Sequence, residues 1–324
     1  MAMDKAHVLQ IQNTLETLLD QLQMPFSIRE YDQELHDACL RGAQERGISL
    51  QGPAHIGIRL PVGVVMASIA YGHLPDPLTR VYIALYTAGL TSLEDVCGND
   101  TKLLSAFCER FFKSISHGHP VMDACDLLLR ELPLHFDHVP ADMMLLSSMD
   151  SIVANILEYE MQRNPISPSA QQFPFFLRNL TSLARPHSLF AFPKSMPFTS
   201  YIEAIPAMVN YISFINDTFS FYKEELANEN VNCISNIARC TGQTKLDVLQ
   251  HLADESVKAH KEILAVLKDR PQALAAYQAF AMGIVHYHTS TKRYKLTELW
   301  TMAADAEKPP FTAPPRSKPV VSTY

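Results

Sequence analysis

Glycine is scarce in this chain: 11 residues in 324 positions, about half of the ~7 % that is usual. Tight hairpins and bulges draw on glycine, so the shortage argues against a many-stranded sandwich or barrel and in favour of helices. Basic residues do not predominate either. The 27 Lys and Arg stand against 34 Asp and Glu, a formal charge of −7, which disfavours a broad nucleic-acid surface and leaves room only for a local basic pocket. No two of the six cysteines (39, 97, 108, 125, 233 and 240) form a CxxC pair. Zinc-ribbon and thioredoxin readings fail on that spacing, and free thiols in a reducing, cytoplasmic compartment are expected. The most apolar stretch, 56–71, is interrupted by Arg59 and Pro61 and falls short of the ~20 residues a membrane span needs. The amphipathic N-terminus carries no signal-peptide pattern.

What the chain does have is helical periodicity from end to end. Residues 5–23 place Val8, Leu9, Ile11, Leu15, Leu18, Leu19 and Leu22 at three- and four-residue spacings. A long apolar helix is predicted from Leu78 towards Asp95. Others are predicted near 100–116, 121–132, 141–162, 169–184, 199–227, 231–240, 244–268 and 271–299, and the proline-rich segment 186–199 reads as a loop. No alternating run suits a sheet and no fixed-period repeat suggests a solenoid. The expectation is all-α: one domain of roughly a dozen helices over residues 1–306, followed by a flexible tail, 307–324, with five prolines.

The most informative segment is Tyr201 to Glu229. Within it Asn216, Ser220 and Glu224 fall at i, i+4 and i+8, so at 100° per residue they share one helix face, with Lys223 alongside. Ile205, Val209 and Ile212 continue that face backward. An amide oxygen, a hydroxyl and a carboxylate on two turns suit magnesium, a hard ion that takes oxygen ligands and completes its shell with phosphate and water. Lys223 could neutralise a phosphate oxygen of the same ligand. The plain alternative is the solvated polar end of an amphipathic helix. The histidine pairs 117/119 and 286/288, at i and i+2, point to different faces and make no metal clamp. They are read as structural or solvated, as is the group His135, Asp137 and His138.

The context of the triplet is the string Asn216 to Glu224 (NDTFSFYKE), with Phe176-Leu177-Arg178 upstream and Arg293-Tyr294 downstream. In these three motifs, their order and their spacing, the chain resembles the class I terpenoid cyclases, and among them the fungal sesquiterpene synthases similar to trichodiene synthase, over roughly residues 78–300. That resemblance implies a class I helical bundle around a central apolar cavity. It implies a sesquiterpene synthase, a carbon–oxygen lyase that ionises and cyclises farnesyl diphosphate and releases inorganic diphosphate with three magnesium ions. Asn216, Ser220 and Glu224 would hold one ion, while Arg178, Lys223, Arg293 and Tyr294 would donate to the diphosphate. Ile205, Val209 and Ile212 would form part of the cavity wall, and aromatic rings such as Phe173, Phe175 and Phe176 would be candidates to face a carbocation. The first metal motif departs from the family's aspartate-rich pattern. Here Glu94-Asp95 leads, and Gly98-Asn99-Asp100 replaces the terminal acid, so either Glu94 or Asp95 is the ligand. A chain-elongating prenyltransferase and a helical binding protein without turnover are the rival readings. A monomer or homodimer, with no nucleic-acid or membrane partner, is expected.

Overall fold

The structure, a computed structural model, describes residues 4–304 apart from 53, 100, 163 and 165. The tail 307–324 and the side chains of Asp95 and Asn99 lie outside the described residues. Sixteen α-helices are described: α1 (Lys5–Leu22), α2 (Gln33–Glu45), α3 (Leu60–Ala70), α4 (Pro77–Asn99), α5 (Thr101–Ser105), α6 (Phe107–Lys113), α7 (Pro120–Arg130), α8 (Leu132–His135), α9 (His138–Met161), α10 (Phe173–Thr181), α11 (Ala184–Leu189), α12 (Ile205–Ala227), α13 (Cys233–Thr241), α14 (Lys245–Leu267), α15 (Pro271–Ser290) and α16 (Leu296–Ala304). The all-α expectation is met: 76 % of the chain is helical and there are no strands among the described residues. None of these helices is long and apolar enough to cross a membrane. Cys39, Cys108, Cys125, Cys233 and Cys240 are free thiols.

Local chemistry sets the long helices. Asp76 accepts the amide hydrogens of Leu78 and Thr79, each at 3.1 Å, and Pro77 has no amide hydrogen to leave unpaired, so α4 starts there. Pro206 opens α12 in the same way, and Asn228, in the left-handed region at φ 55°, closes it. A capping box between Thr244 and Asp247 starts α14. Tyr82, Ile83, Ala84, Leu85 and Tyr86 are all fully buried on α4. Five consecutive buried positions mean that this helix is enclosed on every side rather than laid on the surface.

One hydrophobic core runs from α1 to α16. The helix α3 packs tightly between α4 and α15, and two of the few glycines make that approach possible. A Cβ on Gly63 would lie 2.0 Å from the Ala84 carbonyl oxygen, and one on Gly283 would lie 2.4 Å from that of Ile69.

Three differences from the predicted helices have physical reasons. The segment 169–184 is split, because Ser182 is extended (ψ 123°) and its hydroxyl turns to Ser213 and to the Ala184 amide. Pro186 to Leu189 belong to α11 rather than to a loop, since a proline is tolerated in a first turn that needs no amide partner. The predicted helix 271–299 breaks at Thr291, whose hydroxyl caps the Tyr287 carbonyl. A 3-10 turn, Lys292–Tyr294, follows and ends at Lys295 in the left-handed region (φ 56°). Two helices, α2 and α3, have no counterpart among the predicted ones. The buried stripe of α2 keeps helical spacing (Leu35, Cys39, Gly42, Ala43) but is built mostly of small, weakly apolar residues, and α3 is apolar almost all round, so its period is masked.

Candidate active site

A cavity of about 210 Å³ opens between α3, α4, α10, α11, α12 and α15. Its polar end is built by α12, which turns Asn216, Ser220, Lys223 and Glu224 towards it, as the i, i+4, i+8 count requires. The last turn of α10 brings in Arg178, and the 3-10 turn after α15 brings in Arg293 and Tyr294. Glu94 reaches the rim from α4 and is itself exposed. Asp95, its neighbour, has no described side chain. The apolar end is lined by Val62 and Met66 of α3, Leu183, Ile212 and Ile284.

The polar and charged residues singled out in the sequence, Asp95 aside, therefore share one wall with Ile212, although they come from separate stretches of chain. Ile205 and Val209 do not reach it. The cavity closes one turn below Asn216, so the earlier turns of that face are packed into the core instead. Phe173, Phe175 and Phe176 are also absent from the lining, and Phe176 is exposed. The rings that do face the cavity are those of His187, Tyr287, His288 and Tyr294.

The cationic groups are already held. Arg178 Nε donates to Asp217 Oδ2 at 2.9 Å, and its Nη2 donates to the Ser213 carbonyl and to Asn216 Oδ1, both at 3.2 Å. Burial alone would lower the guanidinium's affinity for its proton, but Asp217 reverses that and holds the pKa above its ordinary range. Lys223 Nζ donates to Glu224 Oε1 at 2.9 Å. Burial still pushes the Glu224 carboxyl up, with Lys223 offsetting part of it. For Arg293, burial is outweighed by the nearby Tyr294, Tyr287, Glu94 and Glu224, and its pKa is also raised.

The donor set fits a hard divalent cation. Asn216, Ser220 and Glu224 offer an amide oxygen, a hydroxyl oxygen and a carboxylate on consecutive turns facing one cavity. Two of the three are engaged by positive charge, Asn216 Oδ1 by Arg178 and Glu224 by Lys223. Among the described residues no three His, Cys, Asp or Glu gather into a metal-binding group, which is consistent with a set holding a single carboxylate.

Two site residues carry no signal in the sequence. His288 does not follow its expected role as a structural or solvated ring: it lines the cavity, and its Nε2 lies 3.2 Å from Asn216 Nδ2. Burial pushes it down to about 4, so the ring is neutral near pH 7. Glu158, on α9, stands near Arg178, Glu94 and Asp217. Burial pushes its carboxyl up to about 7, with Arg178 countering. Nothing in the local sequence of α9 marks this acid, because its neighbours come from α4, α10 and α12.

Comparison with known proteins gives the chain's family and fold. Residues 50–310 match the family model described as trichodiene synthase (TRI5). The α-cuprenene synthase COP6 of Coprinopsis cinerea is 35 % identical over 292 residues, which cover 90 % of each chain. The longiborneol synthase CLM1 of Gibberella zeae is 27 % identical over 308 residues, 91 % of this chain and 89 % of the relative. Among solved structures, 2-methylisoborneol synthase from Streptomyces coelicolor A3(2) superposes with a TM-score of 0.62 at 12 % identity, covering 82 % of this chain and 92 % of that one. At that identity the likeness speaks for the fold.

Proposed function

Because the chain belongs to the trichodiene synthase family of terpene synthases, we propose that it is a sesquiterpene cyclase that acts on farnesyl diphosphate. One observation carries the reading. The oxygen donors Asn216, Ser220 and Glu224 and the cationic donors Arg178, Lys223 and Arg293 line the same cavity as the apolar side chains of Val62, Met66, Leu183, Ile212 and Ile284. A prenyl diphosphate has the same polarity, a dense anion at one end and a hydrocarbon chain at the other. The α-cuprenene synthase, itself a sesquiterpene synthase, supports the choice of a fifteen-carbon chain.

In the reaction the allylic C–O bond breaks, and its electron pair leaves with the diphosphate oxygen. Arg293 can donate two parallel hydrogen bonds to phosphate oxygens, Arg178, with Nε on Asp217 and Nη2 on Ser213 and Asn216, keeps Nη1 for them, and Lys223 adds a point charge where negative charge grows. Asn216, Ser220, Glu224 and the Glu94–Asp95 end of α4 would hold magnesium, which when bound would supply Lewis-acid charge to the leaving group. The cation left behind lies against Val62, Met66, Leu183, Ile212 and Ile284, which keep water from quenching it. The contour of that wall selects the product. The free thiols described above fit action in the cytoplasm.

The test is incubation of purified protein with farnesyl diphosphate and magnesium, followed by gas chromatography of the extract and a diphosphate assay. A cyclic hydrocarbon or alcohol released with diphosphate supports the reading. Absence of turnover with every prenyl diphosphate tried would overturn it.

A further inference from the structure

His288 is 2 % exposed on α15, and its hydrogen bonds leave it one tautomer. Nδ1 lies 2.8 Å from the Ile284 carbonyl oxygen, which can only accept, so Nδ1 carries the hydrogen and Nε2 is a bare acceptor. The ring is held between Phe219 and Tyr294, with centroids 5.6 and 4.6 Å away. Nε2 accepts from Asn216 Nδ2 at 3.2 Å, and the other hydrogen of that amide goes to the Tyr294 hydroxyl at 3.3 Å. On the far side of the amide, Asn216 Oδ1 accepts from Arg178 Nη2. Turned over, the amide would set its oxygen against the bare Nε2 and its NH2 against the Arg178 donor. Two of its three contacts would become repulsive, so the amide has one orientation.

That matters because only one end of a primary amide can ligate a hard cation. We infer that His288 is a positioning residue for the metal: by accepting from Nδ2 it keeps the Asn216 carbonyl oxygen turned to the cavity, where an ion competes with Arg178 for it. The inference rests on the magnesium site proposed above. Outer partners of this kind typically set metal affinity by about 10–100-fold. An aspartate at position 216 would have no such need, since both of its ends are oxygen.

Calorimetric titration with magnesium in the presence of inorganic diphosphate, where no turnover occurs, tests it. His288→Phe keeps the ring between Phe219 and Tyr294 and removes the acceptor. It should weaken magnesium binding by about tenfold or more. His288→Gln restores an acceptor oxygen and should recover most of that loss. In an Asn216→Asp background the Phe change should cost nothing further. Unchanged binding in His288→Phe, or an equal loss in the Asn216→Asp background, would overturn the role. Wild-type protein supplies a measurement that no folding defect can spoil, a long-range proton–nitrogen spectrum of its labelled histidines. A His288 ring protonated at Nε2 overturns the inference; one protonated at Nδ1 supports it. Wild-type protein that binds no magnesium with diphosphate would remove the proposed function itself, and this inference with it, whereas intact wild-type binding beside an indifferent His288→Phe removes the inference alone.

Discussion

Arg178 and Asp217 form a buried ion pair, Nε to Oδ2 at 2.9 Å, that ties α10 to α12 directly beside Asn216. Their side chains are 18 % and 11 % exposed, so both charges are largely withdrawn from water. The pair also aims the arginine: with Nε committed to Asp217, the Nη2 end points at Asn216 and the cavity.

Breaking that pair from the acidic side leaves a buried guanidinium uncompensated. Asp217→Asn is expected to cost about 3 kcal/mol of stability, in the range measured when one partner of a buried pair is removed. Urea denaturation followed by circular dichroism reads this out. A cost below about 1 kcal/mol, the range of a surface pair, would mean that water reaches Arg178.

Replacing the arginines tests their geometry rather than their charge. Arg178→Lys and Arg293→Lys each keep the positive charge but lose the planar, multi-donor guanidinium. Each is expected to lower kcat/KM by about 10²-fold with the fold intact. Near wild-type rates in either variant would assign that arginine a purely structural role.

The proposed metal face predicts a different signature. Asn216→Ala and Glu224→Ala should raise the magnesium concentration needed for half-maximal rate by about tenfold or more, with helicity unchanged. Kinetics indistinguishable from wild type in both variants would refute a shared ion.

At the first motif Glu94 and Asp95 are consecutive residues, and an ideal helix would turn them about 100° apart, too far for both to face one ion squarely. Glu94 lines the cavity rim, which favours it as the ligand. Glu94→Gln is then expected to weaken magnesium dependence most, and Asp95→Asn to alter mainly the product distribution. Loss of all turnover in Asp95→Asn beside a mild Glu94→Gln would reverse the assignment.

A pH effect follows from His187, which is buried in the cavity wall with Nδ1 on the Tyr71 hydroxyl at 2.8 Å. Burial pushes its pKa down to about 4, against about 6.5 in an unfolded chain. Between those values the unfolded state binds the extra proton, so this histidine's contribution to stability is intact above about pH 6.5 and falls on acidification. The limiting slope is about 1.4 kcal/mol per pH unit. Denaturation of wild type and His187→Gln at pH 7, 6 and 5 should show the wild type losing its advantage stepwise. A constant difference between the two would show the ring to be protonated or solvent-exposed in the fold.

The helix α12 is legible in the sequence because its information is local. Asn216, Ser220, Lys223 and Glu224 share a face through the 3.6-residue turn alone, although the helix opens at Ile205 rather than at the predicted 199. The same locality explains the misplacement of Ile205 and Val209. Periodicity gives a direction around the helix, but the depth of the cavity along it depends on α11 and α15. The Thr291 break leaves no comparable local signal, although it is what delivers Arg293 and Tyr294 to the cavity.

The sequence by itself determined that the chain is helical and apolar enough to enclose a core, and that α12 carries oxygen donors at metal spacing. Those properties reside in residue type and in spacing over a few turns. Tertiary structure alone decided that Arg178 meets Asp217, that His288 meets Asn216 across α12 and α15, and that Glu158 sits among charges from three other helices. Such pairs are separated by tens of residues, and they form only where packing, through close approaches such as Gly63 on Ala84 and Gly283 on Ile69, brings separate helices to within a hydrogen bond of each other.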